Sequence, residues 1–275
     1  MKLVQRHPSA WLLAVLMCAL CLPAAHAKTV LITGANSGIG LEFATQYAAD
    51  GWQVVATHRR DGIPRTLADL ASRYDGVQVE FLDVTDHASI DALAAKLSDR
   101  PIDVLLNNAG VVGELDDPAQ KFGTLDYEMF GRYLQTNTLG PLRVAEAFYA
   151  HVRRSEDRKI VGISTIAASL EGASQAMGSS FGIRFRYAYN VSKAALNMAY
   201  IGLANDARAD GIVVGLLHPG LVRVARTERY DMTPQMEAAM LEVDDSVTQM
   251  RALIEGLNAD TSGSFLAYDG STVPW

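Results

Sequence analysis

Seven short runs rich in Val, Ile and Leu, each about one strand long, recur through the chain with helix-patterned segments between them. They are TVLIT (29–33), WQVVAT (52–57), VQVEFLDV (77–84), IDVLLNNAG (102–110), KIVGIST (159–165), IVVGLLHPG (212–220) and GSFLAYDG (263–270). A strand that is apolar on both sides must be covered on both faces, as happens when strands run parallel and helices cross over either side of the sheet. Between the runs, GLEFATQYAAD (40–50) sets Leu41, Ala44, Tyr47 and Ala48 on one helical face and stops at Gly51. Asp86 is placed to cap a helix running to Leu97, and longer helical stretches cover 127–153 and 187–209. No linker, repeat or low-complexity tract interrupts this series. The pattern predicts one α/β domain over 28–275, a doubly wound parallel sheet of about seven strands with helices on both faces. Two irregular stretches, 169–186 and 223–237, read as functional or mobile loops.

The first run breaks into TGANSGIG, where a strand hands over to a helix through Gly34, Gly38 and Gly40. Glycines there let backbone amides approach a phosphate closely and aim the positive end of a helix at it. The spacing is T-G-x-x-x-G-x-G rather than the G-x-G-x-x-G of most dinucleotide folds.

Residues 1–27 stand apart. Lys2, Arg6 and His7 form a basic start, WLLAVLMCALCL (11–22) is an apolar run, and AHA (25–27) has small residues at cleavage spacing. This is the layout of a secretory signal peptide, and the run is short for a bilayer span of about 20 residues. Export, to a periplasm, is the expectation, with cleavage near Ala27; an uncleaved membrane anchor, or a cytoplasmic protein with a miscalled start, are the alternatives. Cys18 and Cys21 are the only cysteines, so a cleaved chain would carry none. A net charge of −7 argues against a nucleic-acid partner, and six scattered histidines without ligand spacing predict no metal.

Taken together, the ordered motifs resemble the short-chain dehydrogenase/reductase family over nearly all of 28–275. TGANSGIG is similar to its cofactor loop, DVT (83–85) to the adenine site, and NNAG (107–110) to its fourth-strand motif. Asn137 matches the active-site Asn, YNVSK supplies Tyr189 and Lys193 of Y-x-x-x-K, and HPG (218–220) matches the Pro-Gly after strand six. Within the family, YAYNVSKAALNMA, LLHPG and GSFLAYDGSTVPW resemble the C-factor and sniffer-type carbonyl reductases.

The resemblance implies a nicotinamide cofactor held by Gly34, Asn36, Ser37, Gly38, Ile39, Gly40, Asp83, Val84, Asn108, Ala109, Gly110, Pro219, Gly220 and Val222, with Tyr189 and Lys193 on its ribose side. Tyr189 and Lys193 are one helical turn apart, and an ammonium beside a phenol favours the phenolate, which makes the tyrosine a usable general acid or base. The family also places a hydroxyl at the end of strand five. Here it is Thr165 or, as second choice, Ser164. Asn137 is implied to hold a water that relays protons to Lys193. Two departures stand out. Val224 replaces the usual Thr after Pro-Gly, with Arg223 read first as an exposed residue and second as a substitute, and the segment from Thr165 to Tyr189 is long.

At the end of the second run, Arg59 and Arg60 follow His58 where an acidic residue would bind the ribose of NAD(H). A guanidinium suits a 2′-phosphate, so NADP(H) is predicted over NAD(H), with Arg59 as first contact. The expected activity is hydride transfer between NADP(H) and a small carbonyl compound or alcohol. The competing expectation is an exported nucleotide-binding or signalling protein of the same fold with little turnover. A homodimer or homotetramer through the long helices is implied by the resemblance alone, and His218 reads as structural.

Overall fold

The computed structural model describes residues 27–175 and 185–275. Residues 1–26 of the predicted signal segment and 176–184 of the 169–186 loop therefore lie outside the described residues. Seven strands form one parallel sheet: β1 (Thr29–Ile32), β2 (Gln53–His58), β3 (Val77–Phe81), β4 (Val104–Asn107), β5 (Lys159–Ile163), β6 (Val213–His218) and β9 (Ser264–Ala267), in the order β3-β2-β1-β4-β5-β6-β9. Two further short strands, β7 (Leu221–Val222) and β8 (Met240–Leu241), pair with each other alone.

Successive side chains of a strand face opposite sides, and here both sides are core. Val30 and Ile32 point one way and Leu31 the other; Val54 and Ala56 oppose Val55; Val104 and Leu106 oppose Leu105. The first face packs under α1 (Gly38–Ala49), α2 (Arg65–Arg73) and α9 (Val243–Gly256) through Phe43, Tyr47, Leu67, Leu70, Met250 and Ile254. The second packs under α3 (His87–Lys96), α5 (Gly140–Arg153) and α7 (Tyr187–Ala207) through Ile90, Leu93, Phe148, Leu196 and Tyr200. Asp86 caps α3 as expected, its Oδ1 accepting from the Ala88 amide at 3.0 Å.

The predicted long helix over 127–153 is interrupted. Helix α4 (Tyr127–Leu134) runs into a π-helical turn, Gln135–Leu139, before α5 begins. Pro141 has no amide hydrogen, so the regular bond to the Asn137 carbonyl cannot form there. Such wide turns concentrate at functional sites, and this one carries Asn137. The loops also hold more order than their composition suggests: α6 (Leu170–Ser174) starts the first, and a 3-10 turn (Thr227–Arg229) and α8 (Pro234–Ala238) occupy the second.

The chain runs outward from β1 to β3 on one side and from β4 to β9 on the other. The direction therefore switches between β1 and β4, and their carboxyl ends open a crevice of the kind that binds nucleotides.

Candidate active site

The first wall of that crevice is the glycine turn. Gly34 has φ +66°, and a side chain there would lie 3.0 Å from the Ala109 Cα. Gly38 has φ +54° and faces Val224. Gly40 has ordinary φ, yet its missing Cβ would strike the Asn108 amide and sit 2.5 Å from the Gly34 carbonyl oxygen. Two glycines thus permit left-handed backbone and the third permits close packing. Ser37 is the N-cap of α1, but its side chain makes no capping bond. The helix therefore begins with Gly38, Ile39 and Gly40, and its first amides carry the positive end of the dipole. The Asn36 carbonyl accepts from Thr66 Oγ1 at 2.8 Å, which ties the turn to α2.

The second wall is NNAG. Asn107 is buried and bonds Tyr200 at 2.8 Å, holding α7 to the sheet. Asn108 donates to the carbonyls of Thr33 (3.0 Å) and Gly34 (3.1 Å), while Thr33 Oγ1 accepts from the Asn108 and Ala109 amides. Asn108 therefore shapes the phosphate turn with its own amide group. A Cβ on Gly110 would lie 3.1 Å from Asn137 Oδ1 and 3.5 Å from Lys193 Nζ, so its absence leaves room for both.

At the rim, Asp83 Oδ1 accepts from the Thr85 amide (2.9 Å) and hydroxyl (2.8 Å), and its Oδ2 lies 4.0 Å from Arg59. That ion pair is exposed and worth little, so Arg59 remains available to an anion. Val84 is buried against Gly140. On the far side, Pro219 accepts a 2.7 Å bond from Ser246, and Gly220 turns at φ +83° under Leu241 and Tyr268. Val222 is buried in β7, and Val224 donates its amide to Thr227 Oγ1 at 2.9 Å. Arg223 is bound to Glu242 (3.0 Å) and Glu237 (3.6 Å), so it does not stand in for the missing threonine. Burial holds the His218 imidazole down at about 4, and its Nδ1 accepts from the Gly220 amide, a structural role.

The side chains that the resemblance implies as reactive come from α7 and its neighbours. Lys193 is buried, and its Nζ donates to the Ile163 carbonyl at 2.8 Å. Loss of water alone pushes its amine down to about 8. Tyr189 is buried one turn earlier, packed with Tyr133, Val111, Val112 and Ala167, and among the described residues no hydrogen bond engages its hydroxyl. Ser164 donates to Asn197 at 2.6 Å, which commits its proton. Thr165 is partly exposed and only accepts, from the Ala167 amide at 3.3 Å, so its proton is free for another partner. Of the two predicted hydroxyls, the geometry leaves Thr165 available. Asn137 spends its side chain on the Val111 amide and carbonyl (2.8 and 2.9 Å) and on Ser192 (3.0 Å).

Several site residues were not singled out in the sequence. Gln120, in a 3-10 turn (Pro118–Gln120), is fully buried and accepts from the Tyr189 amide at 3.2 Å. Ser192 joins Asn137 to the Tyr189 carbonyl. Arg186 lies over the Tyr189 ring, 4.4 Å from its centroid. Only Ser192 carried a signal, its place inside YNVSK.

The family model for short chain dehydrogenase matches residues 28–235. The 1-hydroxy-2-glutathionyl-2-methyl-3-butene dehydrogenase of Rhodococcus sp. is 36% identical over 256 residues, spanning 90% of this chain and 100% of that one. C-signal of Myxococcus xanthus is 39% identical over 184 residues, 67% of this chain and 99% of its own. Among solved structures, the NADPH-bound carbonyl reductase from chicken fatty liver superposes with a TM-score of 0.79 at 29% identity, covering 91% of this chain and 100% of that one. With the motifs in their expected order around one crevice, the chain belongs to the short-chain dehydrogenase/reductase family, whose members are NAD(P)-dependent oxidoreductases.

Proposed function

We propose that this protein is an NADP(H)-dependent reductase of carbonyl compounds, with Tyr189 as the general acid. The observation that carries the reading is a buried Lys193 one helical turn from Tyr189, whose hydroxyl is uncommitted among the described residues, beside a glycine-walled crevice. The residues present fit the cofactor: the tight glycine turn brings backbone to the crevice, the start of α1 suits its diphosphate, and Arg59 suits a 2′-phosphate. The NADPH bound to the chicken carbonyl reductase supports the same choice. When bound, the reduced cofactor supplies a hydride to the carbonyl carbon. Tyr189 donates its hydroxyl proton to the carbonyl oxygen, which leaves an alcohol and a phenolate; the Lys193 ammonium stabilises that phenolate. Thr165 donates a hydrogen bond to the same oxygen. The reverse direction oxidises an alcohol, the sense in which the Rhodococcus relative is named.

The likeness to C-signal, named for signalling, favours a second reading, an exported nucleotide-binding or signalling protein of the same fold with little or no turnover. One assay separates the two: residues 28–275 with NADPH and a panel of aldehydes, ketones and quinones. The reductase reading expects NADPH oxidation that Tyr189→Phe lowers by at least about a hundredfold, with nucleotide binding kept. Binding without oxidation across the panel supports the second reading. Export rests on residues 1–27, and N-terminal sequencing of the secreted product tests it, with Lys28 as the expected first residue. Association as a homodimer or homotetramer is part of the same proposal.

A further inference from the structure

Arg186 breaks two rules at once. It is only 7% exposed, yet its guanidinium makes no ion pair among the described residues, and residues 176–184, which lie outside them, contain no Asp or Glu. Its hydrogen bond among the described residues is a long one, from Nη1 to the Val112 carbonyl at 3.3 Å, and its Nε is buried without a partner. A charge buried in this way costs several kcal/mol unless something compensates it. Arg186 is also the N-cap of α7, a helix with no acidic residue in its first turn, so a cation sits at the positive end of a dipole. Stacking on the Tyr189 ring, 4.4 Å away, offsets part of this cost.

The surroundings do not supply the missing anion. The groups recorded about the guanidinium are the Val112 carbonyl and phenols: the Tyr189 ring beneath it, and Tyr133 and Tyr230, which feel its charge. The acids Glu114 and Asp117 are felt electrostatically at Tyr230 and Tyr133, but neither is paired with Arg186. Arg226 adds a second positive field at Tyr230. Rule-breaking residues that burden stability concentrate at functional positions.

We infer that Arg186 is a specificity-determining residue that binds an anionic group of the substrate, so the preferred substrates are carbonyl compounds bearing a carboxylate. This rests on the proposal that Tyr189 faces the reacting carbonyl. With that oxygen at the Tyr189 hydroxyl, a carboxylate on the same molecule meets the guanidinium stacked on the same ring and accepts from its unpaired Nε. A charge-assisted bond of this kind is worth roughly 1.5–3 kcal/mol, or about a tenfold to hundredfold preference.

The test compares benzaldehyde with 2-, 3- and 4-carboxybenzaldehyde as substrates of residues 28–275, by the ratio of kcat/KM values, in the wild type and in Arg186→Gln and Arg186→Lys. At least one carboxylated isomer is expected to exceed benzaldehyde by tenfold or more. That ratio falls about tenfold or more in Arg186→Gln and partly recovers in Arg186→Lys. A parallel titration of the NADP⁺-loaded protein with benzoate and benzamide reads the site without turnover: benzoate binds more tightly, and Arg186→Gln removes the difference. Thermal melts guard against misfolding, because removal of an uncompensated buried charge leaves Arg186→Gln at least as stable as the wild type. Equal ratios in wild type and Arg186→Gln, or benzoate binding that ignores the substitution, overturn the inference. Benzoate binding that depends on Arg186, without turnover of any aldehyde, keeps the anion site and overturns the reductase reading instead.

Discussion

Lys193 carries a basic group into a place without water, with the Ile163 carbonyl as its hydrogen-bond partner. Its amine falls from 10.5 to about 8, a burden on the folded protein of about 3 kcal/mol at neutral pH. Between those two values the folded state binds fewer protons than the unfolded chain, so stability rises with pH in that window, and the cost is complete below about 8. In thermal melts of the nucleotide-free protein, Lys193→Met should therefore gain on the wild type most at pH 7, and the gap should shrink toward pH 10.5. A gap that ignores pH contradicts the burial argument. Arg59 makes a different prediction because it is exposed and paired only loosely with Asp83. Arg59→Ala should raise KM for NADPH about tenfold and leave NADH unchanged; equal losses for both cofactors would remove Arg59 from the phosphate site. These roles differ in how far the sequence discloses them. Tyr189 and Lys193 are legible because their spacing is local. Thr165 stands ahead of Ser164 by resemblance alone, whereas the bond that occupies the serine's proton goes to Asn197, a whole element away, and is not legible locally. Arg186 was silent, since nothing local tells a buried guanidinium from a solvated one.

Among the elements, the glycine turn is the most constrained. Gly40 stands where a methyl group would press on the Gly34 carbonyl, which is backbone, and on the Asn108 amide, which would lose its bonds to Thr33 and Gly34 if it moved. Gly40→Ala should cost about 1–3 kcal/mol and weaken NADP⁺ binding, both read from melts with and without nucleotide; unchanged binding would show that the turn does not shape the site. The strands were legible because parallel pairing buries both faces and writes continuous apolar runs, although several end a few residues before their runs do. Helices α2 and α9 escaped notice. In α2 only Leu67 and Leu70 are buried, and the apolar stripe of α9, Val247, Met250 and Ile254, follows an acidic first turn, Asp244 and Asp245. The π-turn at Gln135–Leu139 was signalled only by Pro141, whose effect on Asn137 depends on a helix already being there.

In the whole molecule, the chemistry and the chain's entry point lie at opposite ends of the sheet. Lys28 leads into the amino end of β1 and pairs with Asp157, whereas the crevice opens at the carboxyl ends of β1 and β4. Anything attached before Lys28 therefore joins the domain away from the active site. Exposed Leu139, Val191 and Met198 lie on the π-turn and α7, the region through which association is proposed. Val191→Glu with Met198→Glu should shift sedimentation toward the monomer without loss of fold, and a wild type that sediments as a monomer would end that proposal.

The central claim is that this crevice delivers hydride to a carbonyl carbon while Tyr189 delivers the proton. It is tested most directly by supplying residues 28–275 with NADPH deuterated at the transferable position and a carboxybenzaldehyde, then reading the product by NMR. The account predicts deuterium on the carbinol carbon, and none with Tyr189→Phe. Nucleotide bound to the wild type with no label in any product, or label transferred equally well by Tyr189→Phe, would contradict it.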